Sequence, residues 1–256
     1  MIASGGEDAT VKVWDLAAWQ AGDMLPPVRT FQGHTESVNC VAFSPNGRLL
    51  ASSGRDQTIS IWNVATGKEE RTFAGTAWAM NRMAFSPDGR TLAAGCDDGG
   101  VRLWNVIGQS TEGALLCKLA GRVRCVAFSP DGTLLACGGD GRQVWVTELA
   151  TSRRQQRLVL PNTISNVTFS ADGKILAAVC DFPDGALRVW DVTEWKETAR
   201  RPLGTGREPR RTGPVPPGCY RGWCGRGPGR GGGGRPPGGG GWPRRAGPDS
   251  TRPRRG

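Results

Sequence analysis

Residues 38–43, VNCVAF, alternate between apolar and polar positions, as a strand with one buried face does. SPNG follows, and its Pro and Gly predict a tight turn. RLLASSG then reads as a second strand, RDQ as a turn led by an Asp, and TISIW as a third strand rich in β-branched residues. NVATGK turns the chain again, and EERTF closes the unit as a more polar fourth strand. Four short strands joined by tight turns predict an antiparallel meander, and helical periodicity is weak along the chain.

The pattern recurs. FSPNG (Phe43–Gly47) returns as FSPDG (Phe85–Gly89), FSPDG (Phe128–Gly132) and FSADG (Phe169–Gly173), at spacings of 42, 43 and 41 residues. Tryptophans at Trp14, Trp62, Trp104, Trp145 and Trp190 are spaced by 48, 42, 41 and 45. Two markers with one period predict a repeat architecture. A single meander cannot cover both of its faces, whereas meanders stacked around an axis cover one another.

The third-strand ends VWD (Val13–Asp15), IWN (Ile61–Asn63), LWN (Leu103–Asn105), VWV (Val144–Val146) and VWD (Val189–Asp191), with GH at Gly33–His34, resemble the WD-repeat family over about residues 1–203. The resemblance implies an all-β, partial WD-repeat β-propeller. It also implies a buried hydrogen-bond chain, whose spacing is met by His34, Ser52, Asp56 and Trp62. A turn carboxylate accepts from the imidazole, the other ring nitrogen engages the hydroxyl, and the hydroxyl accepts from the indole N–H. His, Ser and Asp together also suggest a hydrolase triad, but Ser52 lies mid-strand without the glycine-flanked elbow that exposes a nucleophile. Partial networks are expected at Ser4, Asp8 and Trp14, at Asp98 and Trp104 (beside Thr76 and Ala94), and at Asp184 and Trp190, where Cys180 stands in place of the Ser. The third complete repeat lacks GH and reads as having a shortened turn at Gly138–Gly141.

Complete meanders begin near residues 38, 80, 123 and 164, and residues 1–32 supply only a second, third and fourth strand. The expectation is four complete four-stranded blades plus one incomplete N-terminal blade over residues 1–204. Such proteins are common in bacteria, and the arc reads as a fragment of a longer ring or an open array. From residue 205 the composition changes: 17 Gly, 10 Pro and 12 Arg among 52 residues, with one Glu and one Asp. This 205–256 segment cannot bury enough apolar area to fold and reads as a disordered tail. It carries the whole net charge of +10, because residues 1–204 hold 21 basic and 21 acidic side chains. Two readings of it stay open. One is an Arg/Gly-rich nucleic-acid-binding tail with Tyr220, Trp223 and Trp242 to stack on bases. The other is the product of a shifted reading frame in a GC-rich gene.

Eight cysteines follow the repeat rather than a CxxC pattern, and with a single His they predict free thiols and no metal site. No P-loop, GxSxG elbow or metal cluster appears, so neither an enzyme, a cofactor nor a small-molecule substrate is expected. Asp97–Asp98 reads as a turn. The function expected is a protein–protein interaction scaffold, with other proteins or domains of a longer parent chain as partners and nucleic acid only through the tail. The resemblance adds signalling proteins as a setting. Candidate binding positions on the rim are Glu7, Glu36, Arg55, Ala79, Asp97, Arg122 and Pro183. No signal peptide or apolar span is present in the sequence, which predicts a cytoplasmic protein without membrane contact.

Overall fold

The alternation of VNCVAF and its counterparts appears in a computed structural model, among the residues it describes, as nineteen strands and one short 3₁₀ turn, Leu16–Ala18. The structure describes residues 1–18, 26–73, 78–181 and 185–202. Thr76, Pro183, Asp184, Cys219, Cys224 and the proposed tail at 205–256 lie outside the described residues.

The strands form five antiparallel meanders. Sheet one holds β1 (Ile2–Gly5), β2 (Thr10–Trp14) and β3 (Arg29–Gln32). Sheet two holds β4 (Val38–Phe43), β5 (Leu49–Gly54), β6 (Ile59–Asn63) and β7 (Glu69–Phe73). Sheet three holds β8 (Met80–Phe85), β9 (Thr91–Cys96), β10 (Gly100–Asn105) and β11 (Ala114–Lys118). Sheet four holds β12 (Val123–Phe128), β13 (Leu134–Gly139), β14 (Gln143–Glu148) and β15 (Arg153–Val159). Sheet five holds β16 (Ile164–Phe169), β17 (Ile175–Cys180), β18 (Ala186–Asp191) and β19 (Glu197–Pro202). This is the expected set of one three-stranded and four four-stranded blades.

The FSPDG turns work as their residues require. Gly47, Gly89, Gly132 and Gly173 all have φ between +68° and +73°, where a side chain is strained. Ser44, Ser86, Ser129 and Ser170 each donate to the Asn or Asp two residues on, and each accepts the backbone N–H five residues on.

Successive sheets lean on each other through their first strands: β4 against β8, β8 against β12, and β12 against β16. A bulge in the first strand of each four-stranded sheet frees one polar residue, and three of these reach the next sheet. Asn39 donates to the Met80 carbonyl and Asn81 to the Val123 carbonyl, while Arg124 faces Asp181 at 4.0 Å. On the outer side, the fourth strand of one sheet covers the third-strand ring of the next. Phe31 lies 5.4 Å from Trp62, Phe73 lies 6.5 Å from Trp104, and Leu158 packs in the cluster that holds Trp190.

Strand register corrects three details of the sequence reading. Trp62, Trp104 and Trp190 pair with Leu50, Leu92 and Leu176, but the residue pairing with Leu135 is Thr147. Trp145 pairs with Cys137 and sits two residues earlier, at the place of Ser60. The turn in sheet four is therefore not shortened. Gly139 to Val144 matches Gly54 to Ile59, with Gly141 where Asp56 stands. Positive φ at Ala9, Gln57, Gly99 and Arg142 marks the same turn position in four sheets. Lastly, Ser52 pairs with Ser60 as Ala178 pairs with Arg188, so Ala178 and not Cys180 replaces the serine.

Candidate functional site

The structure brings His34, Ser52, Asp56 and Trp62 together. Ser52 is buried on β5, and Trp62 stands next to last in β6, two residues out of step in the pairing. The Trp62 indole N–H donates to Ser52 Oγ at 2.7 Å. Ser52 Oγ lies 2.7 Å from His34 Nε2, and His34 Nδ1 lies 2.9 Å from Asp56 Oδ2. An ionised carboxylate only accepts, so Nδ1 carries the proton and Nε2 can take the Ser52 O–H. Asp56 also accepts from the backbone N–H groups of Thr35 and Thr58 and from the Thr58 hydroxyl. Burial pushes the Asp56 carboxyl up, but these donors outweigh it and hold its pKa below the ordinary value.

Ser52 is 0% exposed, and the His34 side chain is 1% exposed. No substrate carbonyl can approach this hydroxyl. The chain of bonds ties the loop before β4 to the β5–β6 turn.

In sheets one and three the turn Asp takes a cation. Asp98 accepts both arms of Arg102, at 3.0 and 2.7 Å, and this holds its pKa at about 2. Asp8 accepts Lys12 Nζ at 2.7 Å. Arg102 and Lys12 both occupy the place of Ser60. Among the described residues Ser4 and Trp14 share no hydrogen bond in sheet one, where Ser4 is exposed and Trp14 half-buried. Trp190 is buried, and its acidic counterpart Asp184 lies outside the described residues.

Trp104 is 1% exposed, and its indole N–H has no hydrogen-bond partner among the described residues. The cause is Ala94, which register puts where Ser52 stands. An Ala94→Ser variant is expected to supply the missing acceptor and to raise stability by about 1 kcal/mol. Denaturant unfolding checks this; an unchanged or lower midpoint counts against it.

The other cluster lies on the rim. In each complete sheet the residue after the second strand donates its N–H to the residue ahead of the first strand: Arg55 to Ser37, Asp97 to Ala79, Asp140 to Arg122, and Asp181 to Thr163. This brings the candidate positions Ala79, Asp97 and Arg122 into one repeated corner, which Arg55 makes with Ser37 in sheet two; Arg55, Glu36 and Glu7 are exposed. The Asp97 carboxylate faces Arg122 at 3.9 Å. Asp181 takes the corner place that the sequence reading gave to Pro183. Between sheets three, four and five the corner opens into a cleft of about 340 Å³ lined by Asn81, Arg82, Arg122, Arg124, Ser165 and Asp181. Arg124 is held by Asp140 at 2.5 Å. Among the described residues no ion pair holds Arg82. Of these lining residues, the rim reading named only Arg122. The available signal was the polar residues Asn81, Arg82 and Arg124 inside otherwise apolar first strands.

Among the described residues no three His, Cys, Asp or Glu side chains gather as metal ligands would, and no helix is long and apolar enough to cross a membrane.

Comparison with known families matches residues 1–15, 25–63, 67–105, 113–146 and 154–191 to the WD domain, G-beta repeat. A DDB1- and CUL4-associated factor 11 homolog of Caenorhabditis briggsae is 44% identical over 64 residues, 25% of this chain and 11% of that protein. The small ribosomal subunit protein RACK1y of Oryza sativa subsp. japonica is 39% identical over 67 residues, 26% of this chain and 18% of that protein. The nuclear distribution protein nudF of Aspergillus flavus is 28% identical over 105 residues, covering 26% of this chain and 23% of that protein. The chain thus spans less than a quarter of the length of each of these relatives.

Proposed function

The chain belongs to the WD-repeat family, and on that premise we propose that it is a non-enzymatic scaffold of the cytoplasm whose rim binds a partner protein at the Arg82–Arg122–Arg124 cleft. The observation that carries this is the convergence of polar side chains from three sheets on one cleft, with Arg82 and Arg122 exposed. A rigid support with solvated guanidinium groups at its mouth suits a surface that presents carboxylates, because exposed arginines lose little on desolvation and pair bidentately. Related proteins are named for assemblies, one for association with DDB1 and CUL4 and one as a ribosomal subunit protein, which supports the scaffold reading.

The test is the affinity of the protein that co-purifies with the full chain. Reversing Arg82 and Arg122 together to Glu is expected to weaken that complex by about tenfold or more, largely through slower association. Arg200→Glu, on the exposed outer strand β19, is expected to leave it unchanged. Equal loss in both variants, or loss in neither, contradicts the rim as the binding surface.

A second reading rests on composition. The 12 Arg and two acidic residues at 205–256 form a strongly cationic segment that would track a phosphate backbone. Salt-sensitive RNA binding that vanishes on removal of 205–256 supports it, and RNA binding retained by residues 1–204 counts against it.

A further inference from the structure

One contact between sheets breaks the pattern of the others. In the first two, a fourth-strand phenylalanine covers the tryptophan of the next sheet: Phe31 on Trp62 and Phe73 on Trp104. Between sheets three and four both partners are gone. Cys117 pairs with Val101 in β11 as Phe73 pairs with Ile59 in β7, so a thiol stands where Phe73 stands. Across from it the tryptophan is replaced by Thr147, and Cys137 takes the place of Ser52. Cys117 packs against the cluster that contains Cys137, and the two thiols influence each other's ionisation, Cys117 lowered and Cys137 raised. The displaced Trp145 completes the site. Its carbonyl lies 3.6 Å from Cys137 Sγ, and Arg154 sits 3.3 Å over its ring.

We propose that Cys117 and Cys137 are a peroxide-sensitive thiol pair, in which Cys117 is oxidised first and Cys137 then closes a disulfide that staples sheet three to sheet four.

The arrangement separates the two roles. Of the six described cysteines, Cys117 alone is not buried. The Cys137 thiol and the Arg154 guanidinium lower its pKa against the opposing effect of burial. Cys137 is 1% exposed and is held as the thiol, raised by Cys117 and by burial. Burial also raises Cys40, and takes Cys125 up to about 12. The Cys117 thiolate attacks a peroxide oxygen. The O–O bond breaks, the departing hydroxide takes up a proton to become water, and a sulfenic acid remains. Cys137 sulfur then attacks Cys117 sulfur. The S–O bond breaks, and the hydroxide that leaves takes the Cys137 proton as a second water. Two thiols lose two electrons, and one peroxide becomes two waters. This inference is independent of the partner cleft, since neither cysteine lines it.

The experiment treats the reduced full-length chain with hydrogen peroxide and maps its peptides without reduction. The expected first product is a Cys117–Cys137 cross-link, formed about tenfold faster than any oxidation of Cys40 or Cys125. With Cys137→Ala, dimedone is expected to trap a sulfenic acid on Cys117. With Cys117→Ala, Cys137 is expected to stay reduced. The wild-type map stands even if a variant folds poorly. The proposal is overturned if Cys117 links instead to Cys219 or Cys224, if Cys40 or Cys125 oxidises as fast, or if Cys117 in the wild type ends as a lasting dimedone adduct.

Discussion

Truncating Phe73 to alanine is expected to lower the stability of the chain by about 3–5 kcal/mol, the range found for removing a buried aromatic ring. Phe73 is 0% exposed although it lies on a fourth strand, where most neighbours are exposed. Beside its strand partner Ile59, the next sheet buries it, supplying Met80, Cys96 and Trp104 to the same cluster. The ring also holds Arg71, whose guanidinium carbon lies 5.5 Å from its centroid. Arg71 in turn donates to the Gly108 carbonyl across the same boundary. The variant therefore leaves a cavity between two sheets and loosens a polar tie beside it. Glu70→Ala, an exposed neighbour on the same strand, is expected to change stability by less than about 0.5 kcal/mol. Urea denaturation of the two variants makes the comparison. A loss of less than 1 kcal/mol at Phe73 would mean that the sheets do not depend on each other's cover.

The second large effect is expected at Ser52. Among the described residues its hydroxyl is the one hydrogen-bonded link between the Trp62 indole and the His34 ring, which otherwise meet only edge to face at 6.4 Å between centroids. Ser52→Ala removes few atoms but leaves the indole N–H and His34 Nε2 buried without partners, at about 1–3 kcal/mol each. The neighbouring Ser53 is an internal control, since its hydroxyl is already buried and unbonded among the described residues. Ser53→Ala is therefore expected to be neutral or slightly stabilising, although both serines are 0% exposed. The same network sets a pH dependence. The Asp56 pKa is lowered in the fold, so its share of stability is complete above the ordinary value of 3.8 and is lost as the pH falls below it. Wild type is expected to lose stability through that acid range more steeply than Asp56→Asn. Parallel curves would remove Asp56 from the network.

The meanders were legible because each carries its own instructions. A turn that needs positive φ takes Gly at 47, 89, 132 and 173, and an apolar strand lies on either side. The network in sheet two was legible for the same reason, as its four side chains follow the local turn and pairing. The slip at Trp145 has a physical origin as well. A rare aromatic two residues from its usual place draws the alignment, whereas adding the 43-residue spacing of the neighbouring turns to Trp104 leads to Thr147. Cys180 was misplaced beside a loop of unusual length, and only the pairing of Ala178 with Arg188 shows which residue replaces the serine. Contacts between sheets were not legible. Asn39 with Met80, Arg124 with Asp181, and Cys117 with Cys137 depend on how one meander rests on the next, which strand periodicity does not encode.

That dependence is the central claim, and a double-mutant cycle measures it most directly. Phe73→Leu is combined in turn with Trp104→Phe on the next sheet and with Trp62→Phe on its own sheet, and unfolding free energies are compared. The account predicts a coupling of about 1 kcal/mol for Phe73 with Trp104 and about zero for Phe73 with Trp62. Coupling confined to Trp62, or absent from both pairs, would show that each meander buries its own face and does not rest on its neighbour.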